Sequence, residues 1–192
     1  RIPHRFIWCS YPDRGLEEVL NLWPFIKKEL KGAELKIFYG WEYFDSTLWH
    51  PEQREFKERI RKLIKQDGVE WCGRVGQNQL AKELKKSDAM LYPPPHSFRE
   101  TYGIAFLEAQ AAGVICFYRE NGALGETVGD RGIPLSMNLS PREIVDIVVT
   151  SLKSSNAIIR DRAIEYALNR TWEKQADKML RLYERLEEER LK

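Results

Sequence analysis

The 192-residue sequence predicts an α/β domain, a three-layer sandwich built on a six-stranded parallel sheet. Short apolar runs alternate with longer amphipathic segments from one end of the chain to the other, which is the pattern of strands joined by crossover helices. Glycine or proline closes most of these runs, as turns between such elements require. The length suits one domain, residues 1–192, and is ample for a full hydrophobic core.

The first strand is expected at Arg5–Cys9, followed by a loop, Ser10–Gly15, with Pro12 and Asp13 as turn and cap residues. Leu16, Val19, Leu20, Leu22, Trp23 and Ile26 then mark one helical face, which ends near Gly32. Glu34–Tyr39 reads as the second strand, closed by Gly40, and the aromatic-rich stretch 41–50, with Trp41, Tyr43, Phe44 and Trp49, as a loop packed on the domain. Pro51–Gln66 is a charged amphipathic helix. Val69–Cys72 is a third strand, Gln77–Lys86 a helix, and Ala89–Tyr92 a fourth strand halted by three prolines. A helix over Gly103–Ala112 precedes the fifth strand, Val114–Tyr118. Gly122–Glu126 is a loop with a short helical turn, and Gly132–Leu135 the sixth strand. A capped helix spans Ser140–Leu152, and two highly charged helices over 156–168 and 171–191 close the domain as a solvated surface.

Charged residues make up 31% of the chain and cancel to a net +2, so there is no electrostatic case for nucleic acid. No apolar run is long enough for a transmembrane segment and no signal peptide is visible. Cys9, Cys72 and Cys116 lie in or beside strand-like runs without CxxC spacing, which predicts buried thiols and a cytoplasmic protein. His4, His50 and His96 are scattered without zinc spacing, so no metal site is expected. His96 lies close to Glu100 and reads as a surface histidine rather than a pocket one. A glycine-rich dinucleotide turn, a P-loop, a nucleophile elbow and a D-x-D pair are all missing from the sequence.

In parallel sheets ligands bind at the carboxyl ends of strands, where strand order reverses. The stretch at that end with the most chemistry is Ser97–Gly113. Its helix is apolar almost all the way round and so reads as buried, yet it carries Glu108. A buried carboxylate needs a hydrogen-bonding partner; the partner is either a neighbouring protein group or a ligand diol. Glu100 places a second carboxylate near the helix start. The backbone N–H groups of Thr101, Tyr102, Gly103 and Ile104 are expected as free donors for an anion or polar ligand. Arg14 stands beside Gly15 where a helix begins, a position that opposes the helix dipole and calls for a counter-anion.

Glu100-Thr-Tyr-Gly-Ile-Ala-Phe-Leu-Glu108-Ala-Gln-Ala-Ala-Gly113 resembles the E-x-F-G-x-x-x-x-E-A-x-A-x-G signature of retaining glycosyltransferases of the sucrose and mannosyl transferase type, whose two glutamates are separated by seven residues. The resemblance runs over nearly the whole chain. Arg14-Gly15 resembles the K-G pair of the family's diphosphate loop, although the arginine that precedes that pair falls on Cys9 here, with Ser10 next to it. Gly73-Arg-Val-Gly76 resembles the loop that lies against the nucleobase, Gly122–Glu126 the G-G-x-x-E loop with Ala123 in place of the second glycine, and Arg170-Thr-Trp172 the F-S-W opening of the last helix, where Trp172 is expected to pack.

The resemblance implies a Rossmann-like domain, one half of a GT-B fold, that binds a nucleoside diphosphate sugar as donor substrate without a cofactor. It implies transfer of the sugar to an acceptor hydroxyl with retained configuration, as in hexosyltransferases. Glu100 and Arg14 are then the candidate catalytic residues. Glu108 would hold the ribose, Val75 and Gln77 (or Lys82) the base, and Ser10, Gly15, Tyr102, Gly103 and Ile104 the phosphates and sugar. The acceptor-binding N-terminal domain of such enzymes is absent, so the partner is expected on the same or another chain, and the sequence reads as an excised domain. The alternatives are a non-catalytic nucleotide-sugar-binding module of a larger protein, which the loss of the arginine favours, and a nucleotide-sugar epimerase.

Overall fold

A computed structural model describes residues 1–46, 51–95 and 97–190, apart from the Tyr43 side chain. The expectations placed on Tyr43, Trp49, His50 and His96 fall outside what is described. Six strands form one all-parallel sheet in the order β3-β2-β1-β4-β5-β6. The strands are β1 (Arg5–Trp8), β2 (Glu34–Ile37), β3 (Val69–Trp71), β4 (Ala89–Tyr92), β5 (Ile115–Arg119) and β6 (Ile133–Leu135). Order reverses between β1 and β4, which pair through Phe6 and Ala89. All residues of β4 and β5 are buried, as expected for central strands covered on both faces.

One helical layer groups α1 (Leu16–Glu29) with α3 (Pro51–Leu63) and α7 (Pro141–Lys153). The other groups α4 (Gln77–Lys86), α5 (Ile104–Ala111) and α8 (Ala157–Leu168). Pro24 sits inside α1 and has no N–H for the Leu20 carbonyl; Gln66 Nε2 donates to that carbonyl instead, at 2.8 Å. The expected cap of α7 is a reciprocal capping box: Glu143 N donates to Ser140 Oγ at 3.3 Å and Ser140 N to Glu143 Oε2 at 2.7 Å. Arg160 ties α8 to the sheet by donating to Asp88 Oδ1 at 2.6 Å.

Three expectations need correction. The stretch after Gly40 is not wholly loop, because Glu42–Ser46 form a helical turn, α2. It does pack on the domain: Phe44 is buried and Trp41 stacks on Trp71 with centroids 4.7 Å apart. Of the thiols only Cys116 is fully buried, while Cys9 and Cys72 are half-buried; none of the three is in a disulfide. Trp172 does not pack: it is 75% exposed at the start of α9 (Trp172–Arg190), a helix with no buried residue. Among the described residues no helix is long and apolar enough to cross a membrane.

Candidate functional site

The carboxyl ends of β1 and β4 flank the reversal point, and the residues leaving β1 divide the site in two. Trp8 Nε1 donates to the Ser10 carbonyl at 2.8 Å, which curls the chain directly after the strand. Ser10 Oγ then lies 3.4 Å from the Tyr92 hydroxyl, and that hydroxyl donates to Glu100 Oε2 at 3.3 Å. Cys9 lies instead within electrostatic reach of Glu108; burial first and that carboxylate second push its thiol up to about 12.

Tyr92 joins Ser10 to Glu100, and nothing in the sequence analysis singled it out. Its ring is stacked on Trp8 at 5.3 Å and meets Phe106 edge-on at 4.9 Å, so the hydroxyl is held at a fixed point. Burial raises its pKa strongly, which keeps it a neutral donor. The available signal was its place as the last residue of β4, a polar tip at the carboxyl end of a central strand.

The segment carrying Glu100 is braced by the loop after β5. The Glu100 carbonyl accepts from Ala123 N at 2.8 Å, and Glu100 forms an isolated parallel bridge with Gly122. A Cβ on Gly122, at φ 62°, would lie 2.9 Å from Glu100 N, so only glycine permits this approach. Asn121 Nδ2 donates to the Phe98 carbonyl and Thr127 Oγ1 to the Tyr102 carbonyl at 2.6 Å. Thr127 is steadied in turn by buried Gln110 of α5, whose Nε2 donates to its carbonyl at 2.9 Å.

The helix begins one step later than expected. Gly103, at φ 82°, is the N-cap of α5 and accepts from Phe106 N at 2.9 Å. Thr101 N is taken by Glu100 Oε1 at 3.2 Å, so it is not a free donor. The N–H groups of Gly103, Ile104 and Ala105 have no hydrogen-bond acceptor among the described residues. Tyr102 and Ile104 are exposed beside them.

Arg14 ends a 3-10 turn, Pro12–Arg14. Its guanidinium lies 3.4 Å from the Phe98 ring centroid and pairs with Asp13 at 3.1 Å. The counter-anion expected from a ligand is thus met in part by Asp13, whose own pKa burial raises and Arg14 lowers. Gly15 follows at φ 112°, where a Cβ would lie 2.8 Å from the Pro93 carbonyl carbon. That contact seats the start of α1 against the loop after β4 and brings Arg14 over the Glu100 segment.

Glu108 is half-buried rather than buried, because one face of α5 fronts a pocket of about 210 Å3. Leu84, Ala111 and Ala112 line this pocket with it. No hydrogen bond or ion pair meets its carboxylate among the described residues, and burial raises its pKa. Gln77 and Leu80 line this pocket and also a cleft of about 900 Å3 whose wall includes Val75 and Arg74. Val75, Gln77 and Glu108 therefore share one continuous surface, whereas Lys82 lines neither space; Lys85 is the lysine beside Glu108.

Residues 11–170 match the family model for glycosyl transferases group 1. No curated protein sequence matches the chain. Among solved structures, sucrose-phosphate synthase of Thermosynechococcus elongatus is similar over 96% of this chain and 45% of its own, with TM-score 0.72 and 17% identity. HepE of Anabaena, solved in complex with UDP and glucose, is similar over 88% of this chain and 44% of its own, with TM-score 0.67 and 16% identity. A glycosyltransferase of Rickettsia africae matches over 96% of this chain and 48% of its own, with TM-score 0.69 and 16% identity. The chain thus spans under half the length of these structures, and at such identities they establish its fold, that of the Rossmann-like domains in GT-B glycosyltransferases. With 11–170 matched, the chain belongs to the glycosyl transferases of group 1.

Proposed function

We propose that this domain is the donor-binding half of a retaining glycosyltransferase that uses a nucleoside diphosphate sugar. The observation that carries this reading is Glu108, a carboxylate without a protein partner among the described residues, in a small pocket that shares Gln77 and Leu80 with a larger cleft. A ribose diol supplies the two donors such a group lacks. Val75 and Gln77 then flank the base. Arg14, Ser10, Gly15 and the amides of Gly103 and Ile104 hold the diphosphate. Glu100, oriented by Tyr92, meets the donor sugar beside Tyr102. In the reaction the bond from the anomeric carbon to the diphosphate oxygen breaks, and a bond to the acceptor oxygen forms on the same face. Charge developing on the departing diphosphate falls to Arg14 and the amides at the start of α5, donors aimed in advance at that position. HepE, similar in fold, is solved with UDP and glucose, which supports a ligand of this class.

The acceptor site belongs to a further domain, on the same or another chain, and the protein is cytoplasmic, in keeping with three cysteines outside any disulfide. Phosphate charge is met without a metal cofactor. A second reading, a non-catalytic nucleotide-sugar-binding module, is favoured by one observation: Arg14 is already paired with Asp13, and the neighbouring arginine of the family pattern is Cys9.

Calorimetric titration with UDP, GDP and ADP tests the site. We expect at least one to bind, with affinity unchanged by EDTA. Glu108→Gln should weaken it by about tenfold or more, since hydrogen bonds to a charged group contribute about 1.5–3 kcal/mol. A folded Glu108→Gln protein that binds as tightly as the parent would reduce Glu108 to a structural residue. Binding that vanishes on chelation and returns with magnesium would overturn the metal-free assignment.

A further inference from the structure

We propose that the base read at this site is guanine, and that Glu42 and Arg74 read it. The inference rests on the nucleotide-sugar reading above and adds the identity of the nucleobase. The lining of the cleft of about 900 Å3 includes Gly40, which lies between β2 and α2. Two side chains converge on this buried glycine. A Cβ on Gly40 would lie 3.0 Å from Glu42 Cδ and 3.0 Å from Arg74 Cβ. The carboxylate thus rests on the same backbone atom as the stem of the guanidinium. Yet the two charges form no ion pair, and neither has a hydrogen-bond partner among the described residues. Both line the cleft, together with the rings of Tyr11, Phe38 and Tyr39.

Neighbouring opposite charges that leave each other unpaired are suited to a ligand that offers adjacent donors to one and adjacent acceptors to the other. Guanine does this on contiguous edges. Its N1–H and N2–H2 present two donors side by side, which match the two oxygens of a carboxylate. Its O6 and N7 present two acceptors side by side, which match the fork of an arginine. Adenine sets its single amino group between two lone pairs, N1 and N7, so a carboxylate there meets a lone pair and the guanidinium meets an amine. Uracil sets its one N–H between two carbonyl oxygens, which a carboxylate repels. Cytosine gives the carboxylate only its amino group, beside the lone pair of N3. The aromatic rings supply a stacking surface that every base can use, so selection falls to Glu42 and Arg74.

Titration of the intact chain with GDP, inosine diphosphate, UDP and ADP tests this. Inosine diphosphate keeps N1–H, O6 and N7 but lacks the 2-amino group. GDP should bind tightest, and loss of that one donor to Glu42 should weaken binding by about tenfold. Glu42→Gln should shrink the gap between GDP and inosine diphosphate towards unity. Arg74→Met should weaken both alike, because both carry O6 and N7. Both side chains are exposed, so the variants should keep the parent's melting temperature. UDP or ADP binding as tightly as GDP overturns the guanine assignment and leaves the nucleotide reading standing. So does a gap between GDP and inosine diphosphate that Glu42→Gln leaves unchanged. If no nucleoside diphosphate binds, both readings fall.

Discussion

Two residues at the reversal point illustrate how a side chain can serve binding at the expense of stability. Glu108 has a folded-state pKa raised above its ordinary 4.5 by burial alone. A group raised in this way favours the fold while neutral; that contribution is complete below the ordinary carboxylate range and is lost as pH rises through the folded pKa. At neutral pH the ionised, unpartnered carboxylate is therefore a liability. Glu108→Gln should melt above the parent at neutral pH, and the difference should shrink to nothing in acid, as melting curves across that range will show. A variant less stable than the parent at neutral pH would mean the carboxylate has a partner in the free protein. Tyr92 is the complementary case. Tyr92→Phe keeps the ring between Trp8 and Phe106 and removes only the hydroxyl bonds to Ser10 and Glu100. Stability should fall by about 1 kcal/mol. Bare nucleotide should lose little, through the long 3.4 Å contact to Ser10 alone, while the sugar nucleotide loses more because Glu100 is no longer oriented. Equal losses for both ligands would place Tyr92 in the scaffold. Glu100 and Glu108 are legible in the sequence as candidates because their spacing is part of a long pattern. Tyr92 is not, because an aromatic at the end of a buried strand looks the same whether or not its hydroxyl is used.

At the scale of elements, the sequence locates strands and helices, α2 apart, to within about three residues, since the punctuation has a steric cause. Gly15, Gly103 and Gly122 all sit at positive φ where other residues are strained, and two of them also admit a close backbone approach. What the sequence misjudges is the setting of α5. An apolar surface all round implied a buried helix, yet one face fronts the Glu108 pocket. Apolar side chains line ligand sites as readily as cores, so periodicity cannot separate the two. The distinction between scaffold and site can be tested by two substitutions. Ser140→Ala breaks the capping box of α7, in the layer that packs against α1, and should cost about 1 kcal/mol without altering nucleotide affinity. Gly15→Ala combines left-handed backbone with a clash against the Pro93 carbonyl and should cost about 1–3 kcal/mol. It should also weaken nucleotide binding, because the Arg14 turn and the loop after β4 must separate. Denaturant midpoints and titrations on both variants decide the matter. If Gly15→Ala binds nucleotide unchanged, the contact between the two loops is not part of the site.

Across the whole molecule, the final two helices behave differently although their charge patterns look alike. α8 is part of the domain: Arg160 reaches from it to Asp88, whose other oxygen, Oδ2, accepts from His4 N at 2.9 Å. No residue of α9 is fully buried and only Gln175 is half-buried, while Trp172, Met179, Tyr183 and Leu186 form an exposed stripe at helical spacing. In sequence the dense charges of 171–191 masked that stripe, because a solvated face and an apolar one coexist on the same helix. The structure separates what is needed for folding from what is not. Deleting 172–190 should leave the stability within about 0.5 kcal/mol of the parent, since no fully buried residue is lost. Nucleotide affinity should be unchanged, because every residue assigned to the site precedes Thr127. Extending the deletion through α8 should behave quite differently. It strips Asp88 of Arg160 and leaves that buried carboxylate without a counter-charge, held by the His4 amide alone, a change that costs about 3–5 kcal/mol. Urea unfolding of the two truncations therefore predicts one parent-like curve and one strongly shifted curve. Two equally shifted curves would mean that α9 contributes to the core, contrary to its lack of a fully buried residue.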